Sequence, residues 1–170
     1  MNEEKRVEPA ISFNPNLIGK DFVSFDVPGE PFAKQRPRAR KIHGFISIYT
    51  PNETKNYEKK VADSYKRIYK NKQLLDNLTV EIEGVFSIPK SATKKQKQDM
   101  LDGFVPHTKK PDCDNMGKVC LDGLNGVAYP DDAAIDKLII WKRYGSEAKT
   151  RITIYNTDKK EKDTDGNDNK

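Results

Sequence analysis

The sequence is poor in the residues that build disulfide frameworks and membrane spans. Its 170 residues include two cysteines, Cys113 and Cys120, which are too few for a disulfide scaffold and fit a reducing compartment. It has no run of about 18 apolar residues, the length that a bilayer-spanning helix needs. The first residues, MNEEKRVEP, place acids and a proline where a secretory signal has a basic start and an apolar core. We therefore expect a cytoplasmic protein without a membrane partner.

Acidic residues are missing from one long segment. No aspartate or glutamate occurs between Pro31 and Asn52, although the whole chain has 26 acids against 31 lysines and arginines, a net charge of +5. The same segment contains five closely spaced cations: Lys34, Arg36, Arg38, Arg40 and Lys41. Such a basic block attracts polyanions through phosphate contacts and counterion release. We expect it to bind nucleic acid; the alternative is a solvated surface, which is what most charge runs are.

The two ends of the chain differ in composition from its middle. The last stretch, TDKKEKDTDGNDNK, has no apolar residue and predicts a disordered polar tail over residues 157–170. Residues 1–21 are predicted to be an N-terminal extension. The folded domain is therefore expected to span residues 22–156, which is a length typical of one domain.

Local patterns in this middle part predict a mixture of strands and helices. Strands rich in β-branched and aromatic residues are expected at residues 22–27, 45–49, 78–88, 135–144 and 151–155. Helices are expected at residues 53–70, 92–101 and 114–124. Gly145-Ser146 separates the last two strands, which predicts that they form an antiparallel pair. The fold class is α+β (an α/β layer fold), with helices packed on a mixed sheet.

Two pairs of aspartates stand out between residues 109 and 137. Asp112 and Asp114 are two positions apart, so that on an extended chain both carboxylates can face one ion. Asp131 and Asp132 follow, just before the strand predicted from residue 135. Converging carboxylates without histidine or thiolate suit a hard cation such as Mg²⁺, and such an ion can activate a water near phosphate. With the basic block, these acids predict metal-dependent phosphodiester chemistry on a nucleic acid.

The helix predicted between the two pairs has a polar and an apolar face. If it begins at Asn115, Asp114 is its N-cap and Lys118 lies one turn further on the polar side. Lys118 can then orient a water or stabilise developing negative charge. The apolar face carries Met116, Val119, Cys120 and Leu124. Simpler explanations stay open: the aspartates as turn or cap residues, and Lys118 as a partner in helical ion pairs.

Other kinds of site are poorly supported. The run DCDNMG imitates the start of a calcium loop, but Met116 stands at its fifth position and Gly123 at its twelfth, where oxygen ligands are needed. A zinc site has four candidate ligands, Cys113, Cys120, His43 and His107. Their spacings are not those of zinc sites. Phosphate-loop, dinucleotide-binding and nucleophile-elbow motifs are missing, so we expect no organic cofactor.

The acidic segment resembles the signature of the RusA family of Holliday-junction resolvases. That signature reads D-x-D-N-x-x-K, then D-[AG]-L-N-G, then D-D. This chain has DCDNMGK at residues 112–118, DGLNG at 122–126 and DD at 131–132. Upstream, VPGEPFAKQRPR at residues 27–38 resembles the N-terminal half of phage and prophage members. The resemblance covers about residues 22–156.

The resemblance implies a RusA-like fold and an endodeoxyribonuclease that depends on Mg²⁺, which Mn²⁺ can replace. Its partners would be four-way junction DNA, in recombination and repair, and a second copy of itself. Two symmetric nicks are needed to resolve a junction, and a two-fold homodimer presents two equivalent sites. The resemblance also implies a bacterial or phage-encoded protein that is associated with the nucleoid while it acts.

The motif match implies roles for individual residues. Asp112, Asp114 and Asp132 correspond to the metal-binding catalytic carboxylates. Lys118 corresponds to the catalytic lysine, and Asp131 is a neighbouring acid and a further candidate metal ligand.

One position departs from the family pattern. Members often have arginine or lysine directly before the first aspartate, where this chain has Pro111. Lys109 and Lys110 lie just upstream and are expected to contact DNA in its place.

Two other functions remain open from the sequence. A non-catalytic branched-DNA-binding protein would keep the basic block beside a degenerate acidic site. A metal-dependent transferase would use Asp-x-Asp to hold a nucleoside diphosphate, but it needs a nucleotide-binding fold that the sequence does not indicate. Cleavage of a four-way junction in Mg²⁺ would distinguish the nuclease from both.

Overall fold

The computed structural model describes residues 22–42, 44–75 and 77–157. This part of the chain forms six strands: β1 (Phe22–Pro28), β2 (Arg38–Ile42), β3 (Phe45–Tyr49), β4 (Leu78–Ser87), β5 (Ile135–Gly145) and β6 (Lys149–Asn156). It also forms three α-helices: α1 (Asn52–Tyr69), α2 (Lys94–Leu101) and α3 (Cys113–Leu124). A short 3₁₀ helix, Asp132–Ala134, precedes β5. The predicted α+β class is confirmed.

Four strands form a mixed sheet in the order β1-β6-β4-β5. Strand β6 pairs antiparallel with both β1 and β4, whereas β5 pairs with β4 in parallel. The predicted antiparallel pairing of β5 with β6 is therefore wrong. The chain does reverse direction after Gly145, but residues 146–148 carry it over the end of β4, across two strand spacings of about 4.8 Å. Strand β4 fills that gap because most of its side chains are buried.

Helices α1 and α3 pack together and contribute to the same core as the sheet. Tyr57, Val61 and Tyr65 of α1 are buried, as their helical spacing requires. The apolar face predicted for α3 is confirmed, since Met116, Val119, Cys120 and Leu124 are all fully buried. A glycine in β4 makes room for this helix: a Cβ on Gly84 would lie 2.7 Å from the Met116 sulfur.

Strands β2 and β3 form a separate two-stranded sheet, which we call the basic hairpin. The strand predicted at residues 45–49 is confirmed, whereas β2 was not predicted from the sequence. Its sequence, RARKI, lacks the alternation of apolar and polar residues that marks a half-buried strand. Every side chain of β3 is exposed. The side chains that are described in the hairpin therefore lie outside the core.

The predictions for residues 1–21 and 158–170 lie outside the described residues. Thr157, the first residue of the predicted tail, is held in place by hydrogen bonds. Its N–H donates to the carbonyl of Asn77 at 2.6 Å, and its hydroxyl donates to Asp136 at 2.6 Å. Among the described residues, no helix has the length and apolarity needed to cross a bilayer.

We predict that Gly123→Ala destabilises the protein. A Cβ on Gly123 would lie 2.6 Å from the backbone oxygen of Glu58 in α1 and 3.1 Å from the Val61 Cβ. A backbone oxygen cannot change rotamer as a side chain can, so α1 and α3 must move apart. This should lower the free energy of unfolding by about 1–3 kcal/mol. Gly117→Ala is the matched control on the same helix, since its Cβ would meet the movable end of Ile140. Equal losses in urea denaturation would contradict the prediction.

A second stability prediction concerns His107, which is buried against two aromatic rings. Its ring centroid lies 3.8 Å from that of Phe86 and 4.9 Å from that of Tyr144. Burial, together with the positive charges of Lys142 and Lys109, lowers the pKa of His107 below its usual 6.5. The unfolded chain therefore binds the proton first as the pH falls.

The contribution of His107 should be fully present above about pH 6.5 and decrease below it. His107→Phe keeps an aromatic ring in the stack and removes the titration. We therefore expect its free energy of unfolding to fall less than that of the unmodified protein between pH 7.5 and pH 5, measured by urea denaturation. Parallel declines would show that the imidazole does not carry the pH dependence.

Candidate active site

The first acid pair lies where α3 begins. Asp112 is the N-cap residue, in extended backbone, and its carbonyl accepts the N–H of Met116 at 3.0 Å. The prediction that Asp114 is the N-cap is wrong, because the helix begins at Cys113 and Asp114 lies in its first turn. The Asp112 carboxylate makes no capping hydrogen bond, and both aspartates are exposed. Their negative charge is favourable at the positive end of the helix dipole.

Lys118 lies one turn after Asp114 on the polar side of α3, as predicted. Its Nζ is 3.4 Å from Oδ2 of Asp114, and more than half of each side chain is exposed. An exposed pair of this kind contributes only about 0.3–0.5 kcal/mol to helix stability. The ammonium therefore remains accessible to a phosphate near the two aspartates.

A second ammonium reaches the same end of α3 from β5. Nζ of Lys142 donates to the carbonyls of Lys109 and Pro111, at 2.7 and 2.8 Å. Lys142 was not predicted from the sequence, because no motif includes it and only the position of β5 brings it here. It places a cation next to Pro111, the position at which members of the resembled family often carry a basic residue. The side chains of Lys109 and Lys110 are exposed.

The second acid pair lies before β5 and near the last turns of α3. Asp131 accepts the N–H of Ala133 on Oδ1 at 2.8 Å and so caps the short 3₁₀ helix that Asp132 begins. The hydroxyl of Tyr129 donates to the carbonyl of Leu121 at 3.1 Å. Burial raises the pKa of Tyr129, and the nearby negative charge of Asp132 raises it further. Tyr129, three residues before Asp132, thus holds this segment against the C-terminal half of α3.

The two acid pairs lie apart within one chain. Nine helical positions separate Asp112 from Leu121, a rise of about 14 Å. Seven strand positions separate Lys142 from Ile135, about 23 Å along β5. In keeping with this separation, the described residues contain no group of three or more histidines, cysteines, aspartates and glutamates that could hold a metal ion.

The described residues of one chain do not form such a group, and the expectation that the three aspartates meet around one ion stays a prediction. Carboxylate oxygens are the right donors for Mg²⁺, but their arrangement within one chain does not fit a magnesium site. No zinc cluster is found among the described residues either. Cys113 and Cys120 are free thiols, and His43 lies outside the described residues.

Lys34 connects the start of the basic block to α3. Its ammonium pairs with Asp122, and its backbone N–H donates to the carbonyl of Asn115 at 2.9 Å. Burial raises the pKa of the nearby Glu58, and the negative charge of Asp122 raises it further, whereas Lys34 lowers it. The lysine thus offsets two neighbouring acids. Its role as a DNA contact remains a prediction.

The chain that leads into the basic hairpin is held against α1 and α3. The backbone N–H of Gln35 donates to Oγ1 of Thr54 at 3.2 Å, and its side-chain amide donates to Glu53 at 2.5 Å. Both bonds hold Gln35, which follows Lys34 and precedes the hairpin, against the first turn of α1. The remaining cations of the block are exposed along the chain that follows: Arg36, Arg38, Arg40 and Lys41.

Two comparisons bear on this arrangement. A protein of Bacillus subtilis (strain 168) that is named only as uncharacterized protein YqaN is 29% identical over 136 residues, covering 79% of this chain and 96% of that protein. The family model of the endodeoxyribonuclease RusA matches residues 28–155. That range includes both acid pairs, Lys118, Lys142 and the basic hairpin. The chain therefore belongs to the RusA family of endodeoxyribonucleases.

Proposed function

We propose that the protein is a Mg²⁺-dependent endonuclease that resolves four-way DNA junctions as a homodimer, by two symmetric nicks. Membership of the RusA family implies nuclease activity on branched DNA. The observation that carries the finer proposal is the arrangement at the start of α3, where two exposed aspartates lie near two ammonium groups and near the chain that leads into the basic hairpin. We place the nuclease domain at residues 22–156 and the protein in the cytoplasm.

Individual roles follow from this arrangement and the family motif. Asp112, Asp114 and Asp132 are the proposed catalytic carboxylates and, with Asp131, the proposed ligands of Mg²⁺. The bound cation would supply a polarised phosphate and an activated water. Lys118, held near Asp114, would stabilise negative charge that develops on the phosphate oxygens.

A homodimer can reconcile these roles with the separation of the acids in one chain. Strand β5 is at the edge of the sheet, and it exposes 43% of Leu138 and 38% of Trp141. Unpaired edge strands are prone to pair with another chain. If two copies of β5 paired antiparallel about a two-fold axis, the start of each strand would lie beside the end of the other.

This pairing has a direct consequence for the acids. Asp132 precedes the start of β5, and Asp112 lies beside Lys142 near its end. In the proposed dimer, Asp132 of the partner subunit would approach Asp112 and Asp114, and the reverse would hold at a second site. Each metal site would then take ligands from both chains, and two sites would be present for two nicks.

We predict that Asp112→Asn, Asp114→Asn and Asp132→Asn each abolish cleavage of a labelled four-way junction in Mg²⁺. Binding of the junction should persist, because the hairpin cations are unchanged. Lys118→Ala should slow cleavage by about a hundredfold. Asp63→Asn, at an exposed acid on α1, is the control and should cleave normally. Normal cleavage by any of the three asparagine variants would remove that aspartate from the catalytic set.

Mixing two inactive variants tests the shared site. A heterodimer of Asp112→Asn with Asp132→Asn would combine both substitutions in one site and leave the other site intact. We therefore expect single-strand nicking to return after the two proteins are unfolded together and refolded. If each site belonged to one chain, both sites of the heterodimer would stay broken and no nicking would return.

The salt dependence of DNA affinity tests the basic block. Replacing Arg36, Arg38 and Arg40 by glutamine should reduce the slope of log affinity against log salt by about 0.9 for each phosphate that the variant no longer neutralises. The matched control replaces three exposed lysines of α2, Lys94, Lys95 and Lys97. Its slope should stay close to that of the unmodified protein. An unchanged slope for the arginine variant would place the block away from the DNA.

A second candidate function is a non-catalytic protein that binds branched DNA. The observation in its favour is that the described residues of one chain do not assemble a metal site. It predicts junction binding that is indifferent to Mg²⁺ and no nicking of any branched substrate. Cleavage by the unmodified protein would exclude it.

A further inference from the structure

The tip of the basic hairpin exposes apolar side chains that the rest of the fold does not cover. Phe45, Ile46 and Ile48 are 79%, 75% and 74% exposed. Apolar side chains gathered on one protruding element of a soluble protein usually mark a binding surface. The identity of the partner can be argued from the charges beside them.

The strand register sorts the hairpin into two faces. Arg38 is paired with Tyr49, Arg40 with Ser47, and Ile42 with Phe45. Directly paired residues point to the same side of a two-stranded sheet. One face therefore carries both arginines and both aromatic residues. The other carries Ala39, Lys41, Ile46 and Ile48.

Charge selects the partner of this hairpin. A second copy of the chain would bring the same cations against one another, and residues 31–52 offer no acid to offset them. A nucleic acid supplies phosphates for the arginines and flat apolar base surfaces for the aromatic rings. Within a continuous duplex those surfaces are stacked, whereas at a branch point the stack is interrupted. The hairpin is thus suited to DNA at a branch.

The length of the hairpin agrees with this assignment. Five strand residues span about 17 Å, whereas a DNA groove is about 8.5 Å deep. When the arginines contact phosphates, the tip can therefore reach the bases. Apolar side chains such as phenylalanine and isoleucine separate neighbouring base steps in other DNA complexes.

We propose that Phe45 is a wedge that stacks on the base pair exposed at a DNA branch point, while Arg38 and Arg40 hold the adjacent phosphates. The proposal rests on the proposed function and adds a residue that selects the substrate. Lys34, four residues before the hairpin, holds the chain at Asn115, in the first turn of α3. A branch engaged by Phe45 would therefore present its strands near Asp112 and Asp114.

The experiment compares Phe45→Ala with the unmodified protein on a four-way junction and on a linear duplex of matched length. Losing one stacked base should weaken junction affinity by about tenfold and leave duplex affinity unchanged. A 2-aminopurine at the branch should brighten when the unmodified protein separates it from its neighbour, and this rise should be lost in Phe45→Ala. Phe45→Trp should restore both signals. Phe104→Ala, at a side chain that is 77% exposed elsewhere, is the control.

The results separate failure of this inference from failure of the proposed function. If the unmodified protein neither binds nor cleaves branched DNA, the proposed function fails and the inference fails with it. If it binds and cleaves while Phe45→Ala behaves identically, only the inference is overturned. A change in the sedimentation mass of Phe45→Ala would identify the hairpin tip as a subunit contact, which would also overturn it.

Discussion

Helix α3 is held on three sides by contacts that leave it almost no freedom to shift. Met116 fills the space above Gly84, Gly117 lies against Ile140 of β5, and Gly123 meets the backbone of α1. These close approaches exist because each contact has a glycine, and the approach at Gly123 is the least adaptable because it is made to backbone. A helix fixed in this way also fixes the polar groups on its outer side. The positions of Asp112, Asp114 and Lys118 depend on this packing.

The two acid pairs lie near different ends of α3. Each end of the helix also has its own cations. Lys118 and Lys142 lie near Asp112 and Asp114, whereas Lys34 pairs with Asp122 in the last turns. Clustering all of these carboxylates without a cation would raise their free energy through mutual repulsion. Their separation is therefore favourable for a chain that folds before it meets metal or DNA. In the proposed dimer, assembly would create the metal site and would keep an unassembled chain from cutting.

Most elements of the fold could be predicted from local patterns, because β1, α1 and α3 each bury one periodic set of apolar side chains and β4 is a run rich in β-branched residues. The patterns could not give the neighbour of β5. A turn at Gly145 predicts a reversal of direction, but β4 enters between the two strands only through contacts distant in sequence.

Motif spacing had the same limit at the site. It predicted roles for Asp112 and Asp132 but contained no distance across α3, and it gave no sign of Lys142.

Attraction and selection of DNA have different physical origins in this molecule. Every DNA, branched or linear, presents phosphates, so the proposed phosphate contacts of the hairpin arginines would raise affinity without distinguishing one form from another. Discrimination needs a feature that only a branch offers, and two are available: an interrupted base stack and two symmetry-related strands. The apolar tip of the hairpin would match the first, and the two acid sites of the proposed dimer would match the second. Because the hairpin and the first acid pair are joined through Lys34 and Asn115, recognition of a branch and placement of the strands to be cut would be one event.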